Sequence, residues 1–101
     1  MKKCLTILSL TAFAFAASMA FAADGEALFK ASCAGCHGAD GSKSTGGSTP
    51  IKGQKADAVL KMLQGYAAGT FGGDKKAIME NIAKKHSADE LKALSDYIGT
   101  L

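Results

Sequence analysis

Two cysteines and a histidine stand close together in the first half of the sequence. The segment Cys33-Ala34-Gly35-Cys36-His37 has the pattern C-x-x-C-H, which is typical of c-type haem attachment. Two thiols three positions apart on one helical turn can add to the two vinyl groups of a single haem, and the adjacent imidazole then lies below the ring. The motif therefore predicts one covalently attached haem c, held by Cys33 and Cys36, with His37 as the proximal axial ligand of its iron.

A C-x-x-C pair also occurs in thiol oxidoreductases and in zinc sites. Thioredoxin-like chemistry expects a surrounding βαβ pattern, and no strand-like alternation of apolar and polar residues is found here. A four-ligand zinc site needs two further Cys or His ligands, and apart from Cys4 only His37 and His86 remain. Haem attachment is favoured, and thiol–disulfide exchange stays as the alternative.

A haem iron that carries electrons needs a second axial ligand, and the candidates are Met62, Met79 and His86. Met62 lies away from the apolar stripe of its predicted helix, so we expect it to be a partly exposed packing residue. His86 follows two lysines and is expected to face solvent. Met79 is expected to point inward with Ile78 and Ile82, and it is therefore the preferred distal ligand of the iron.

The elements that position these groups are predicted to be about four short helices with long glycine-rich connections, which makes the fold class all-α. Asp24 is a suitable N-cap for a first helix that runs from Gly25 into the haem motif. Apolar residues recur with helical spacing from Ala56, and this second helix is predicted to end near Gly65.

Two more helices are predicted towards the C-terminus. Asp74 is the expected N-cap of a short helix whose inner face would include Ile78, Met79, Ile82 and Ala83. Ser87-Ala88-Asp89-Glu90 has the pattern of a capping box that opens the last helix. The predicted buried stripe of this last helix consists of Leu91, Leu94, Tyr97, Ile98 and Leu101.

The first 22 residues have the pattern of a cleavable secretory leader. Lys2 and Lys3 precede an uncharged apolar stretch that ends in Ala20-Phe21-Ala22, a small-x-small cleavage pattern. An uncleaved membrane anchor is the alternative, and polar residues within the stretch disfavour it. We therefore expect residues 1–22 to be a signal peptide and residues 23–101 to form one exported, periplasmic domain.

The charge of the predicted domain excludes one class of partner. Without Lys2 and Lys3, ten of the twelve basic residues remain against nine acidic ones. The basic character of the whole sequence therefore belongs largely to the leader, and no basic footprint for nucleic acid remains.

The sequence resembles the class I cytochromes c, and most closely the small monohaem cytochrome c-553 type of sulfate-reducing bacteria. The resemblance covers the whole predicted domain. It is carried by the run from Cys33 to Gly41, by Lys52-Gly53-Gln54, by the run from Gly65 to Gly73 and by the run from Glu90 to Tyr97.

The resemblance implies a class I cytochrome c fold and further roles for single residues. Gly25 and Phe29 match a glycine and an aromatic residue that cross the last helix, here near Leu94 and Tyr97. The axial methionine of the family falls in the short helix before the last one, and it maps onto Met79.

Two other residues are implied to lie near the haem. Pro50 matches the proline whose carbonyl commonly accepts a hydrogen bond from the proximal imidazole. Tyr66, within the matched run from Gly65 to Gly73, is expected close to the haem as well.

These expectations describe a soluble, monomeric electron carrier and not an enzyme. The resemblance implies transient redox partners, such as formate dehydrogenase or another periplasmic dehydrogenase, or a terminal oxidase. It implies no stable membrane insertion after leader cleavage. The alternative is a small haem enzyme or ligand sensor with an open sixth position, which needs a distal acid–base group that only His86 could supply.

Overall fold

Five α-helices form the computed structural model, which describes residues 23–44 and 49–101. In chain order they are α1 (Gly25–Ser32), α2 (Ala34–His37), α3 (Ala56–Ala68), α4 (Ala77–Lys84) and α5 (Ala88–Ile98). Residues 23–44 and 49–101 contain no strand, and the all-α class is confirmed. The helix count exceeds the predicted four because the haem motif forms its own single turn, α2. The predicted leader lies outside the described residues.

The last helix organises the core. Helix α5 packs against both α1 and α3, and α4 packs against α3. Phe29 of α1 and Leu94 of α5 are fully buried, and the rings of Phe29 and Tyr97 lie with their centroids 5.3 Å apart. The predicted crossing of the first and last helices is therefore confirmed. The buried apolar side chains are those of Phe29, Cys33, Val59, Leu63, Ala83, Leu91, Leu94 and Ile98.

The predicted caps of the first and last helices are present. Oδ1 of Asp24 accepts a hydrogen bond from the backbone N–H of Ala27 at 3.2 Å. At α5, the N–H of Glu90 donates to Oγ of Ser87 at 3.2 Å, and the N–H of Ser87 donates to Oε1 of Glu90 at 2.9 Å. Both pairs satisfy backbone donors that a helix start leaves without a helical partner.

The predicted end of α3 near Gly65 is wrong, because the helix continues to Ala68 and is capped by Gly69 in the left-handed conformation, with φ of 75°. Gly65 is required for packing instead of termination. A Cβ at this position would lie 2.6 Å from Cβ of Phe71, in the loop that folds back over α3.

The predicted start of α4 at Asp74 is also wrong, because the helix begins at Ala77. Residues 74–76 form a turn, in which the N–H of Lys76 donates to the carbonyl of Gly73 at 3.1 Å. Within residues 23–44 and 49–101, no helix is both long enough and apolar enough to cross a membrane.

Candidate haem site

The C-x-x-C-H motif folds as one tight helical turn directly after α1. The N–H of Cys33 donates to the carbonyl of Phe29 at 2.8 Å, which continues the hydrogen-bond pattern of α1. The carbonyl of Cys33 in turn accepts from the N–H groups of Cys36, at 3.2 Å, and His37, at 2.9 Å. The backbone thus fixes the two cysteines and the histidine on a single turn, as haem attachment requires.

The turn ends at Gly38, whose backbone has φ of 85° and ψ of 161°. Residues other than glycine rarely adopt this conformation. Beyond it the chain folds back, and the N–H of Lys43 donates to the carbonyl of His37 at 3.0 Å. Both sides of His37 are therefore held by backbone hydrogen bonds, which limits its movement.

The two cysteines differ in environment. Cys33 is 8 % exposed and belongs to the core, whereas Cys36 is exposed. Burial, with a smaller contribution from Cys36, raises the pKa of the Cys33 thiol to about 11. Thiol–disulfide exchange needs a thiolate, and oxidoreductases lower the pKa of the attacking cysteine. Cys33 therefore lacks the lowered pKa expected of an attacking cysteine.

No zinc site surrounds the cysteine pair among the residues that the structure describes. Within the described part of the chain, no group of three or more His, Cys, Asp or Glu side chains is placed to hold a metal ion. The further ligands that a zinc site would require are thus not assembled around Cys33 and Cys36.

The imidazole of His37 suits an iron ligand. The side chain is half-buried, and burial lowers its pKa, so the neutral ring that binds metals is favoured. Its Nδ1 atom is buried without a hydrogen-bond partner. A Cβ at Gly35, within the same turn, would meet no other atom within 4 Å, so the backbone there is open to a large neighbour. These features fit a haem bound at this turn.

The helix expected to supply the distal ligand differs in part from the prediction. Met79 is half-buried and packs against the core, but the adjacent Ile78 is 67 % exposed, so its predicted place on the inner face is wrong. Met62 is also half-buried and packs against the core. Exposure therefore does not distinguish the two methionines. The preference for Met79 rests on its position in the short helix before the last one, where the family resemblance places the axial methionine.

His86 is not the solvent-facing residue that the sequence predicted. It is half-buried, with Nδ1 2.8 Å from the carbonyl oxygen of Ile82 and Nε2 3.4 Å from Oγ of Ser32. Both ring nitrogens thus have protein partners. The two lysines before His86 suggested a surface position, and no local signal pointed to its contact with the distant Ser32.

Pro50 and Tyr66 lie on different parts of the fold. Pro50 is exposed, and its carbonyl accepts a hydrogen bond from Nε2 of Gln54 at 3.2 Å. Tyr66, in the last turn of α3, is half-buried and meets Phe71 edge-to-face, with ring centroids 5.0 Å apart. The hydrogen bond from Gln54 to the Pro50 carbonyl was not predicted, although Gln54 lies in a segment that carries the family resemblance.

Comparison with known proteins identifies the family. The family model for cytochrome c matches residues 22–101. Cytochrome c-553 of Nitratidesulfovibrio vulgaris (strain Miyazaki F) is 53% identical over 103 residues, which cover 100% of both chains. Cytochrome c-553 of Helicobacter pylori (strain 26695) is 39% identical over 102 residues, covering 100% of this chain and 99% of that protein.

A third relative matches a shorter region. Cytochrome c-553 of Desulfomicrobium norvegicum is 41% identical over 68 residues, which cover 67% of this chain and 84% of that protein. Since the family model spans the described helices and a relative matched over its full length is 53% identical, the chain belongs to the cytochrome c family and carries covalently bound haem c.

Proposed function

We propose that this electron-carrying cytochrome shuttles single electrons in the periplasm, with Cys33 and Cys36 as haem thioethers and His37 and Met79 as axial ligands. The observation that carries the proposal is the arrangement at the motif. Cys33, Cys36 and His37 lie on one turn, and Cys33 is buried in the core. Backbone hydrogen bonds hold His37, and burial favours its neutral ring.

The bound haem iron supplies one-electron oxidation and reduction. The protein keeps the surroundings of that iron constant. Cys33 ties the site to the core, and backbone hydrogen bonds hold His37 from both sides. As an iron ligand, the soft thioether of Met79 would favour the reduced state and would raise the potential relative to two imidazoles.

The proposed cellular setting follows from the leader and the family. Residues 1–22 are removed on export, and residues 23–101 act as a monomer in the periplasm. Its partners are a dehydrogenase, such as formate dehydrogenase, or a terminal oxidase. Cys36 is exposed, so the attachment turn is open to solvent on one side, where a transient partner can approach.

A haem enzyme or ligand sensor is a weaker proposal. Such a protein needs a distal acid–base group beside an open iron position. Both ring nitrogens of His86, the group named for this role, are engaged with Ile82 and Ser32. The engagement of His86 favours the electron carrier.

Ligand binding by the reduced holoprotein tests the proposal. Met79→Ala should open the sixth position, so that carbon monoxide binds rapidly, and it should lower the reduction potential because the soft ligand is lost. Met62→Ala is the matched control, and it should cost packing energy while leaving spectrum and potential nearly unchanged. If Met62→Ala or His86→Ala opens the iron while Met79→Ala does not, the ligand assignment is wrong.

A further inference from the structure

We propose that His86 is a positioning residue: it ties the end of α4 to the end of α1 and so holds Met79 in its ligating position. The proposal rests on the proposed ligation by Met79. The contacts of His86 with Ser32 and Ile82 involve only residues that the structure describes, and no residue of the haem motif takes part in them.

The hydrogen bonds of His86 indicate which ring nitrogen carries the proton in the neutral ring. The carbonyl oxygen of Ile82 can only accept, so Nδ1 of His86, 2.8 Å away, carries the proton. In the neutral ring Nε2 is then an acceptor, and the hydroxyl of Ser32 donates to it across 3.4 Å. One imidazole therefore bridges a backbone group of α4 and a side chain of α1.

Both partners of His86 stand next to groups of the haem site. Ser32 is the last residue of α1 and directly precedes Cys33. Ile82 lies one helical turn after Met79 on α4. The bridge thus connects the segment that carries the proposed distal ligand with the segment that carries the haem attachment.

In the described part of the chain, helix α4 has few other contacts with α1. It packs mainly against α3. Among the described residues, the Ser32–His86 contact is the side-chain hydrogen bond that joins the end of α4 to α1. A helix of 8 residues has little stability of its own, since helices this short are marginal in water. A hydrogen bond at its end therefore adds to the support that packing against α3 provides.

His86 also lies where α5 begins, so three helices meet at this residue. His86 directly precedes Ser87, the N-cap residue of α5, and it follows α4 by two residues. The ring therefore occupies a junction, which explains why it is half-buried despite the two lysines before it.

The expected effect of removing the tie follows from the energy of one hydrogen bond. An exogenous ligand reaches the iron only when Met79 leaves it, so the apparent affinity follows the fraction of molecules in which α4 is displaced. The loss of one hydrogen bond should raise that fraction, and with it the affinity, roughly two- to tenfold.

The test is cyanide binding to the oxidised holoprotein, combined with denaturant unfolding of each variant. Ser32→Ala and His86→Phe should each raise cyanide affinity by roughly two- to tenfold, and the double variant should rise no further than the larger single effect. Asp24→Ala is the control. It removes the cap at the other end of α1, so it should lower the free energy of unfolding without raising cyanide affinity.

The outcomes separate this proposal from the ligand assignment. If Met79→Ala does not bind cyanide more tightly than the wild type, both are overturned, because the tie acts through Met79. If Met79→Ala opens the iron but Ser32→Ala behaves like Asp24→Ala, the tie is overturned and the assignment stands. Additive effects of Ser32→Ala and His86→Phe would also overturn it, since two residues that share one bond cannot contribute independently.

Discussion

Gly25 and Ala93 meet backbone to backbone where α1 crosses α5. A Cβ on Gly25 would collide with the carbonyl oxygen of Ala93 and would lie 3.0 Å from Cβ of Tyr97. Because the two helices approach so closely, the ring of Phe29, one turn further along α1, can reach Tyr97. The absence of a single side chain at position 25 therefore sets the separation of the first and last helices.

Gly25→Ala should destabilise the holoprotein by about 1–3 kcal/mol, because overpacking at a close helix contact forces the backbones apart. Gly73→Ala is the control, since a Cβ at Gly73 would meet no other atom within 4 Å. Denaturant unfolding measures both variants. Equal stability of the two would show that the crossing tolerates a methyl group.

If the leader is removed and Cys33 and Cys36 form thioethers, as proposed, the mass of the purified holoprotein should equal residues 23–101 plus one haem. Denaturation in acidified organic solvent should leave the haem on the polypeptide. Mass spectrometry of the denatured protein reads both features at once. Free haem in the extract, or the mass of the bare chain, would contradict covalent attachment.

The double substitution Cys33→Ser/Cys36→Ser should yield a largely unfolded or degraded chain. In the described residues, short helices pack around a small buried core that includes Phe29 and Leu94. A domain of this size has only marginal folding stability without a further source of stability. Far-UV circular dichroism against temperature measures the outcome. A cooperative melting transition in the variant without haem would show that the chain alone is sufficient.

Asp40 should stabilise the loop after the haem motif only above a low pH. Hydrogen bonds from the side chain and backbone of Ser42, at 2.6 and 3.1 Å, and one from Lys52 at 3.3 Å, lower the pKa of Asp40 from 3.8 to about 2. A folded-state pKa below the unfolded one gives stability that is fully present above the unfolded value. This stability is lost as the pH falls from about 4 towards 2.

Titration of the Asp40 carboxyl by NMR measures this effect in the holoprotein. Ser42→Ala should raise the pKa of Asp40 more than Lys52→Met does, because the Ser42 hydroxyl is the largest cause of the shift. Asp40→Asn should remove this part of the acid dependence of stability. A larger effect of Lys52→Met would mean that the ion pair dominates.

The features that could be predicted from the sequence are those whose interacting groups are neighbours in the chain. The haem motif occupies five consecutive residues, and the capping box joins Ser87 to Glu90 within one turn. Asp24 caps α1 through Ala27, again three positions away. Signals of this kind depend on local geometry alone, so one sequence is sufficient to read them.

The features that could not be predicted are those that depend on contact with a residue distant in the chain. Glycine is common at helix ends, but Gly65 lies within α3, which continues past it to Ala68. Its missing side chain leaves room for Phe71. The helical period placed Ile78 on the inner face of α4, although α4 packs mainly against α3 and leaves Ile78 exposed. The partner of His86 is Ser32, which only the tertiary fold brings near.

Because α1 packs against α5, the core can close only after the end of the chain has been made. A chain leaves the ribosome from its amino end, so α1 emerges long before the helix that covers Phe29. A nascent chain that still lacks α5 cannot bury Phe29, Val59 and Leu63 together, and the contacts that close the core are non-local ones. The core therefore cannot close before α5 is present, and a chain truncated before Ala88 should not fold.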